Sequence, residues 1–375
     1  MKKIISVLLV LAMVLMAGCG GAGSTEAPTE PVETTPAYTP NPAQATVNNP
    51  MTEIPNYSLP EGASVAEMRA MAVQAMHDSL TVKWTPIQNF SYKKAGSGDS
   101  YNYQFSASSV YGGILYAEGG AGLMQWMEGM DLSNGVLYDV NFANIGKLQG
   151  SSCSAACCWG LAAVCPNLTG IYSTHYMLIK NGFIPLGDVT YDENLDSFKN
   201  YTTGRICADN GEQTVAEGYA LAQPGDVVIS SGDDTTDVHA MMVITVPEVV
   251  RKADGTIDME ASVLHIQDQR FKDTEEKVDD QIVYYRGRTD AEYTFAELFK
   301  RVYIAMSPED FLKEGAYTPA FSKRNSRRKA TRDRRNRGTR SGWRTSWTDC
   351  SRRWTSRPVR RTKRQRSRED RRRML

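Results

Sequence analysis

The sequence has few of the residues that metal and redox sites in proteins require. It contains four histidines and seven cysteines in 375 residues, and no two cysteines have the C-x-x-C spacing of a thioredoxin-type redox site. Four cysteines lie in residues 153–165, but their spacing, C-x₃-C-C-x₆-C, has no second cluster to complete a zinc site. Neither a metal nor an organic cofactor is therefore expected.

Long hydrophobic runs are also scarce. The only marked apolar run, residues 4–16, is too short to span a bilayer and follows two lysines, a pattern typical of a secretory signal. Its end, Met16-Ala17-Gly18-Cys19, resembles the lipobox of bacterial lipoproteins, in which the cysteine is lipidated; an ordinary cleaved signal is the alternative. The resemblance implies a signal peptide at residues 1–19 and an extracytoplasmic protein held on the membrane by a lipid anchor at Cys19.

Two further segments lack the apolar residues of a core. Residues 20–60 are rich in Pro, Thr and Gly and are predicted to form a disordered tether. Residues 322–375 contain 23 Lys and Arg against 4 Asp and Glu, which leaves 20 basic and 39 acidic residues in the rest of the chain. This tail is predicted to be disordered, either as an arm for anionic polymers or, as we favour, as a non-native reading frame. The lipoprotein-like start argues against a nucleic-acid partner.

Residues 61–321 are long enough for one domain with its own core. Ser64 and Glu67 form a capping-box pattern before a first helix, and a second helix is predicted from Cys153 to just before Pro166. Strand-like segments follow at residues 226–229, 240–244, 262–266, 281–285 and 301–305. Helices first and a mostly antiparallel sheet afterwards predict an α+β fold.

Cys153 is the cysteine with an electrostatic reason to react. At the start of a helix, free N–H groups and the helix dipole stabilise a thiolate. Cys157, Cys158 and Cys165 are predicted to be small core residues. A disulfide between Cys165 and Cys207 is an open alternative for that pair.

A thiol nucleophile needs a base, and the best-placed histidine opens a strand. His239 precedes the apolar residues 240–244 and is predicted to face inward in step with Met241 and Val243. His265, on the following strand, is predicted to hold the His239 ring through its other nitrogen.

These residues resemble the NlpC-type cell-wall peptidases, a family of papain-like cysteine enzymes. The family has a Tyr-x-x-Gly-Gly segment, a Cys-Ser pair that opens a helix, a Pro-Gly-Asp strand, a strand that begins with His and a third polar residue. The corresponding segments here are residues 113–120, Cys153-Ser154, residues 224–228, residues 239–243 and residues 263–266. The chain departs from the family at Ser152 and Ala155, where Asp and Gly are usual.

The resemblance implies a papain-like core whose nucleophile-bearing helix packs on the sheet. It also implies that Cys153 is the nucleophile, that His239 is the base and that His265 orients the base, with Gln267 as the alternative third residue. Tyr116 and Ser154 would line the oxyanion and substrate site. The expected activity is hydrolysis of amide bonds in peptidoglycan stem peptides, as an endopeptidase or amidase.

Two alternatives remain open from the sequence. A transglutaminase-like thiol enzyme would have the same order of Cys, His and acid, with Asp258 or Asp268 as the acid. A papain-like domain that has lost activity would instead serve as a binding lipoprotein on the cell surface.

Overall fold

A computed structural model describes residues 43–93, 102–117, 122–138, 150–168, 170–232 and 238–313. The expected signal peptide, the expected lipidation site Cys19, residues 20–42 of the predicted tether and the arginine-rich tail lie outside the described residues. Within those residues, no helix is both long enough and apolar enough to cross a membrane.

The described residues contain seven α-helices. They are α1 (Val65–Thr81), α2 (Leu123–Met127), α3 (Cys153–Ala162), α4 (Thr203–Asn210), α5 (Glu212–Ala220), α6 (Phe295–Lys300) and α7 (Glu309–Leu312).

Twelve strands accompany these helices in the same part of the chain. They are β1 (Lys83–Pro86), β2 (Phe90–Lys93), β3 (Asn102–Phe105), β4 (Val110–Gly112), β5 (Met130–Asp131), β6 (Val136–Leu137), β7 (Phe183–Pro185), β8 (Val227–Ser230), β9 (His239–Val243), β10 (Val263–Val278), β11 (Gln281–Thr294) and β12 (Ile304–Pro308).

Ten of the strands form one sheet in the order β5-β6-β1-β4-β11-β10-β9-β8-β12-β7, while β2 and β3 form a separate hairpin. Neighbouring strands are antiparallel except for the pairs β1–β6 and β4–β11. The fold is therefore α+β with a large, mostly antiparallel sheet, as predicted.

Helices α1 and α3 pack against each other. Helix α1 starts with the predicted capping box, in which Ser64 and Glu67 bond to each other's backbone amides. Gly160 of α3 allows the two helices to approach closely, because a Cβ there would lie 2.9 Å from the Ala72 carbonyl oxygen and 3.0 Å from the Met76 Cβ. The absence of a side chain at Gly160 thus lets α3 pack closely on α1. The residues of the first turn of α3 are buried as well.

The tether prediction is wrong for residues 43–60. Val47 is buried with Val110 and Val283, and the Ala45 amide donates to the Ala107 carbonyl at 2.7 Å. Met51, Tyr57 and Leu59 also pack against buried clusters, so a few apolar residues are enough to attach this segment to the domain. The domain therefore begins before residue 61.

The predicted order of helices first and strands afterwards is also wrong. Strands β1 to β6 precede α3, and most are only two to four residues long, too short for an alternating pattern to stand out. Trp84, Phe105, Tyr111 and Trp126 pack together there in an aromatic core.

The last predicted strand starts later than expected. Arg301 caps the C-terminus of α6, and Val302 has φ +54°, so β12 begins only at Ile304. A Gly usually occupies this left-handed position after a helix. Because Val302 stands there instead, the sequence contains no signal for the turn between α6 and β12.

Candidate active site

Cys153 lies at the first position of α3, as the sequence predicts. The Ser152 hydroxyl caps the helix by accepting the Ala155 N–H at 3.3 Å. The amides of Cys153 and Ser154 have no preceding helical turn to accept them. These two amides are therefore donors at the helix start that also bears the Cys153 side chain, and Cys153 itself is only 4% exposed.

The other cysteines of the described residues are buried free thiols. Burial raises the pKa of Cys157, Cys158 and Cys165, and it raises the pKa of Cys207 to about 12. Cys165 and Cys207 do not form the disulfide considered from the sequence. These four thiols have no feature that would make them nucleophilic.

His239 opens β9 and meets Cys153. The two side chains interact, because attraction to His239 lowers the pKa of the Cys153 thiol and attraction to Cys153 raises the pKa of the His239 ring. In the ladder between β9 and β10, Val243 pairs with Ile266 and Met242 pairs with Gln267.

The environment favours the ionised form of both partners. Burial raises the pKa of the Cys153 thiol, but attraction to His239 and hydrogen bonds from His239, Ala240 and Tyr116 outweigh it, so the pKa lies below its usual value. Burial lowers the pKa of His239, and interactions with Cys153 and Asp268 reverse this and raise it. The two shifts together favour a thiolate–imidazolium pair.

Asp268 is the third member of the site. His239 Nε2 lies 2.9 Å from Asp268 Oδ2, and the carboxylate is fully buried. Burial raises the pKa of Asp268, but hydrogen bonds from His239 and Arg288 lower it to about 2. An ionised carboxylate therefore accepts the Nε2–H, which leaves Nδ1 to face the thiol.

The predicted contact between His265 and His239 is not formed. His265 Nδ1 lies 2.8 Å from Asp290 Oδ1, and its Nε2 lies 3.7 Å from Glu292 Oε2. The Ile244 amide donates to the His265 carbonyl, so His265 lies beside Ile244. Side chains alternate along β9, and Ile244 points away from the side of His239.

Gln267, the alternative third residue, does not contact His239 either, because its side chain also points to the opposite side of the sheet. It pairs with Met242, donates to the Met242 sulfur at 3.4 Å and donates to the Val73 carbonyl of α1 at 2.9 Å. Asp268 is the next residue and therefore points to the opposite side, where His239 lies.

From the sequence, Asp268 is a candidate third residue only in the transglutaminase-like alternative. Of its two candidates, Asp258 accepts the amides of Glu260 and Ala261 in a turn, whereas Asp268 contacts His239. Once the pairing of β9 and β10 is known, the alternation along residues 263–268 selects Asp268 over His265 and Gln267.

Tyr116 lies where the sequence placed it, beside the nucleophile. Its hydroxyl is 3.9 Å from the Cys153 sulfur, and its backbone forms an isolated bridge with Ser151. The Ser154 side chain has a different position from the one expected. Its hydroxyl is buried and donates to the Tyr172 carbonyl at 3.1 Å, so that the backbone amide is the part of Ser154 left for a substrate.

The aspartate of the Pro-Gly-Asp segment lies outside this cluster. Asp226 is buried, accepts Arg69 Nη1 at 2.7 Å and accepts the Ser307 hydroxyl at 2.6 Å. It ties α1 to β8 and β12, which is a structural function.

Among the described residues there is no group of three or more His, Cys, Asp or Glu side chains that could hold a metal ion. The chain matches no protein-family model, no curated protein and no solved structure. Its function must therefore be argued from the site. Cys153, His239 and Asp268 together form an arrangement that can transfer an acyl group through a thioester.

Proposed function

We propose that this protein is a cysteine hydrolase of amide bonds, acting on peptidoglycan stem peptides as an exported, lipid-anchored enzyme with a papain-like core of the NlpC type. The observation that carries the chemistry is the contact series from Cys153 to His239 to Asp268. The substrate class and the location follow from the resemblances at Cys153-Ser154, at residues 224–228 and at Cys19.

In the first step the Cys153 thiolate attacks the carbonyl carbon of the amide. The oxyanion that develops there accepts hydrogen bonds from amides at the start of α3, and the Tyr116 hydroxyl is close enough to assist. The C–N bond then breaks, and the His239 imidazolium gives its Nδ1 proton to the leaving amine. A thioester at Cys153 remains.

In the second step His239 is neutral and acts as a base. It takes a proton from water as the water oxygen attacks the thioester carbonyl carbon, and the C–S bond then breaks to release the acid product and the Cys153 thiolate beside the His239 imidazolium. Asp268 stabilises the imidazolium in both steps and keeps the ring in one orientation.

The test is incubation of the chain with purified peptidoglycan and with synthetic stem peptides, followed by mass spectrometry of the released fragments. Cys153→Ser should abolish release while the circular dichroism spectrum is retained, because oxygen replaces sulfur with little change in shape. Cys158→Ala is the matched control from the same helix. It should cost on the order of 1 kcal/mol of stability and little activity.

Iodoacetamide labelling gives a readout that requires no substrate. Peptide mapping should find Cys153 labelled well below pH 8, whereas Cys157, Cys158, Cys165 and Cys207, whose thiol pKa is raised by burial, should stay unlabelled. A chain that binds peptidoglycan but shows neither release nor an activated Cys153 would be a binding lipoprotein, and the hydrolase proposal would be wrong.

A transglutaminase-like transfer is the second candidate, and Asp268 is the observation that favours it. That alternative requires an acid after the histidine, and Asp268 occupies the place of the third residue. A primary amine such as glycine methyl ester, added with a glutamine-containing peptide, separates the two reactions. A covalent amine–peptide product would indicate transfer, whereas release of the acid alone would indicate hydrolysis.

A further inference from the structure

The Asp268 carboxylate is bound on two sides. Arg288 lies directly opposite Asp268 in the β10–β11 ladder. Its Nε donates to Oδ1 at 2.9 Å and its Nη2 donates to Oδ2 at 2.7 Å. This is a bidentate pair, which fixes both the position and the plane of the carboxylate. Oδ2 is also the oxygen that accepts His239.

The Arg288 side chain is itself held in place. Nη2 also donates to the Tyr293 hydroxyl at 2.9 Å, and Cζ lies 5.3 Å from the centre of the Tyr293 ring. Arg301 Cζ lies 5.4 Å from the same ring. The neighbouring arginine of the strand, Arg286, pairs with Asp273 instead. Arg288 is therefore the guanidinium dedicated to the acid of the site.

The charges of the site balance only when Arg288 is counted. Asp268 and Arg288 form one neutral pair, and the Cys153 thiolate with the His239 imidazolium forms a second. Without the guanidinium, the same ionised site would have a net charge of −1 in a buried place. A low dielectric penalises such an uncompensated charge strongly.

We propose that Arg288 is a positioning residue that keeps Asp268 ionised and aimed at His239, and thereby keeps Cys153 reactive at lower pH. This inference depends on the proposed function, because it describes how that nucleophile is maintained. Removal of the positive charge disfavours the nearby thiolate, so Cys153 should hold its proton up to a higher pH.

Other ionisable groups face Asp268 from the elements packed around it, and they remain unchanged in the experiment. Cys153 and Cys157 belong to α3, His239 to β9 and Tyr293 to β11, and Tyr303 is the residue before β12.

The experiment measures the rate of iodoacetamide labelling at Cys153 from pH 4 to pH 9 in the full chain, with peptide mapping so that other cysteines do not contribute. Arg288→Gln should move the acid limb of this profile upward by on the order of one pH unit. Arg288→Lys keeps a positive charge at the same place, and its acid limb should stay close to that of the unmodified chain.

Arg286→Gln is the matched control, because it removes the other aspartate-paired arginine of β11. The midpoint of its acid limb should equal that of the unmodified chain, provided that the variant is folded over the pH range measured. A purely structural role for Arg288 would lower the labelling rate equally at all pH values without moving the midpoint.

Either of two results would overturn the inference. One is a folded Arg288→Gln variant with an unmoved acid limb. The other, decisive even if Arg288→Gln does not fold, is a folded Arg288→Lys variant whose acid limb moves up by a full unit. If Cys153 of the unmodified chain shows no activated labelling, the proposed function itself fails, which is a different result from a failure of Arg288 alone.

Discussion

Two histidine–aspartate pairs involve strand β10, and their contact distances are nearly equal. His239 lies 2.9 Å from Asp268, and His265 lies 2.8 Å from Asp290. The histidine side chains are also similarly exposed, at 22% and 24%, but the aspartates differ, at 0% and 65%. The hydrogen bond alone therefore does not distinguish the pair beside Cys153 from the pair at the surface.

The difference lies in what surrounds each pair. Asp268 is buried and fixed by Arg288, and its histidine has a thiol on the other side. Asp290 is open to water, so its interaction with His265 is screened. A buried and fixed carboxylate can keep its histidine ring charged and oriented towards the thiol. An exposed carboxylate, which water screens, cannot.

The largest expected effect is loss of the base. His239→Ala should lower turnover of the stem-peptide substrate by at least about 10³-fold, because it removes both the base and the acid for the leaving amine. His265→Ala should change turnover less than about threefold. Both rates are measured with circular dichroism as the folding control. Equal losses in the two variants would remove the distinction between the pairs.

Exchange of the aspartates comes next. Asp268→Asn should reduce turnover by roughly 10² to 10⁴-fold, because an amide cannot stabilise the imidazolium as a carboxylate does. The parallel substitution Asp290→Asn should leave turnover near that of the unmodified chain. An active Asp268→Asn variant would mean that Cys153 and His239 work as a dyad.

The pH dependence of stability should also separate the two pairs. The pKa of Asp268 is lowered from its ordinary 3.8 to about 2. A lowered carboxyl pKa adds stability that is fully present above the unfolded value and is lost as the pH falls from about 4 towards 2. The size is roughly 2 kcal/mol.

Urea unfolding at pH 5, 3.5 and 2.5 measures this loss. In Asp268→Asn the free energy of unfolding should be lower at pH 5 and should fall less between pH 5 and pH 2.5 than in the unmodified chain. Asp290→Asn is the control and should keep the full fall. The same acid sensitivity in Asp268→Asn and in the unmodified chain would contradict the assignment.

The smallest expected effect is the stability of the exposed pair. Asp290→Ala should change the free energy of unfolding at pH 7 by less than about 1 kcal/mol, the usual range for an exposed ion pair. Denaturant unfolding of this variant measures it, with Asp290→Asn as the isosteric comparison. A loss of several kcal/mol would mean that the His265 pair supports the sheet more than its exposure indicates.

Local features of the sequence were enough to place two of the three site residues. Ser152 before Cys153 is a helix start that depends on nearby residues, and the apolar run after His239 identifies its strand. The capping box of Ser64 and Glu67 is local in the same way. These features were predicted and confirmed because a cap or a short strand involves only neighbours in the chain.

The third residue could not be predicted from the same information. His265, Gln267 and Asp268 lie within four positions of one strand, and all are polar. A change of one residue in the pairing of β9 and β10 exchanges the side of the sheet on which each would lie. The pairing of Met242 with Gln267 decided the choice in favour of Asp268.

The sequence by itself determined that Cys153 starts a helix, that His239 starts a strand and that antiparallel strands predominate, since each is encoded in short stretches of residues. The tertiary structure alone decided which aspartate contacts His239 and which arginine pairs with that aspartate. Arg288 is 20 residues from Asp268 in the chain. Only the β10–β11 ladder brings their charges within 3 Å, and electrostatic energies depend on distance in space and on burial rather than on position in the sequence.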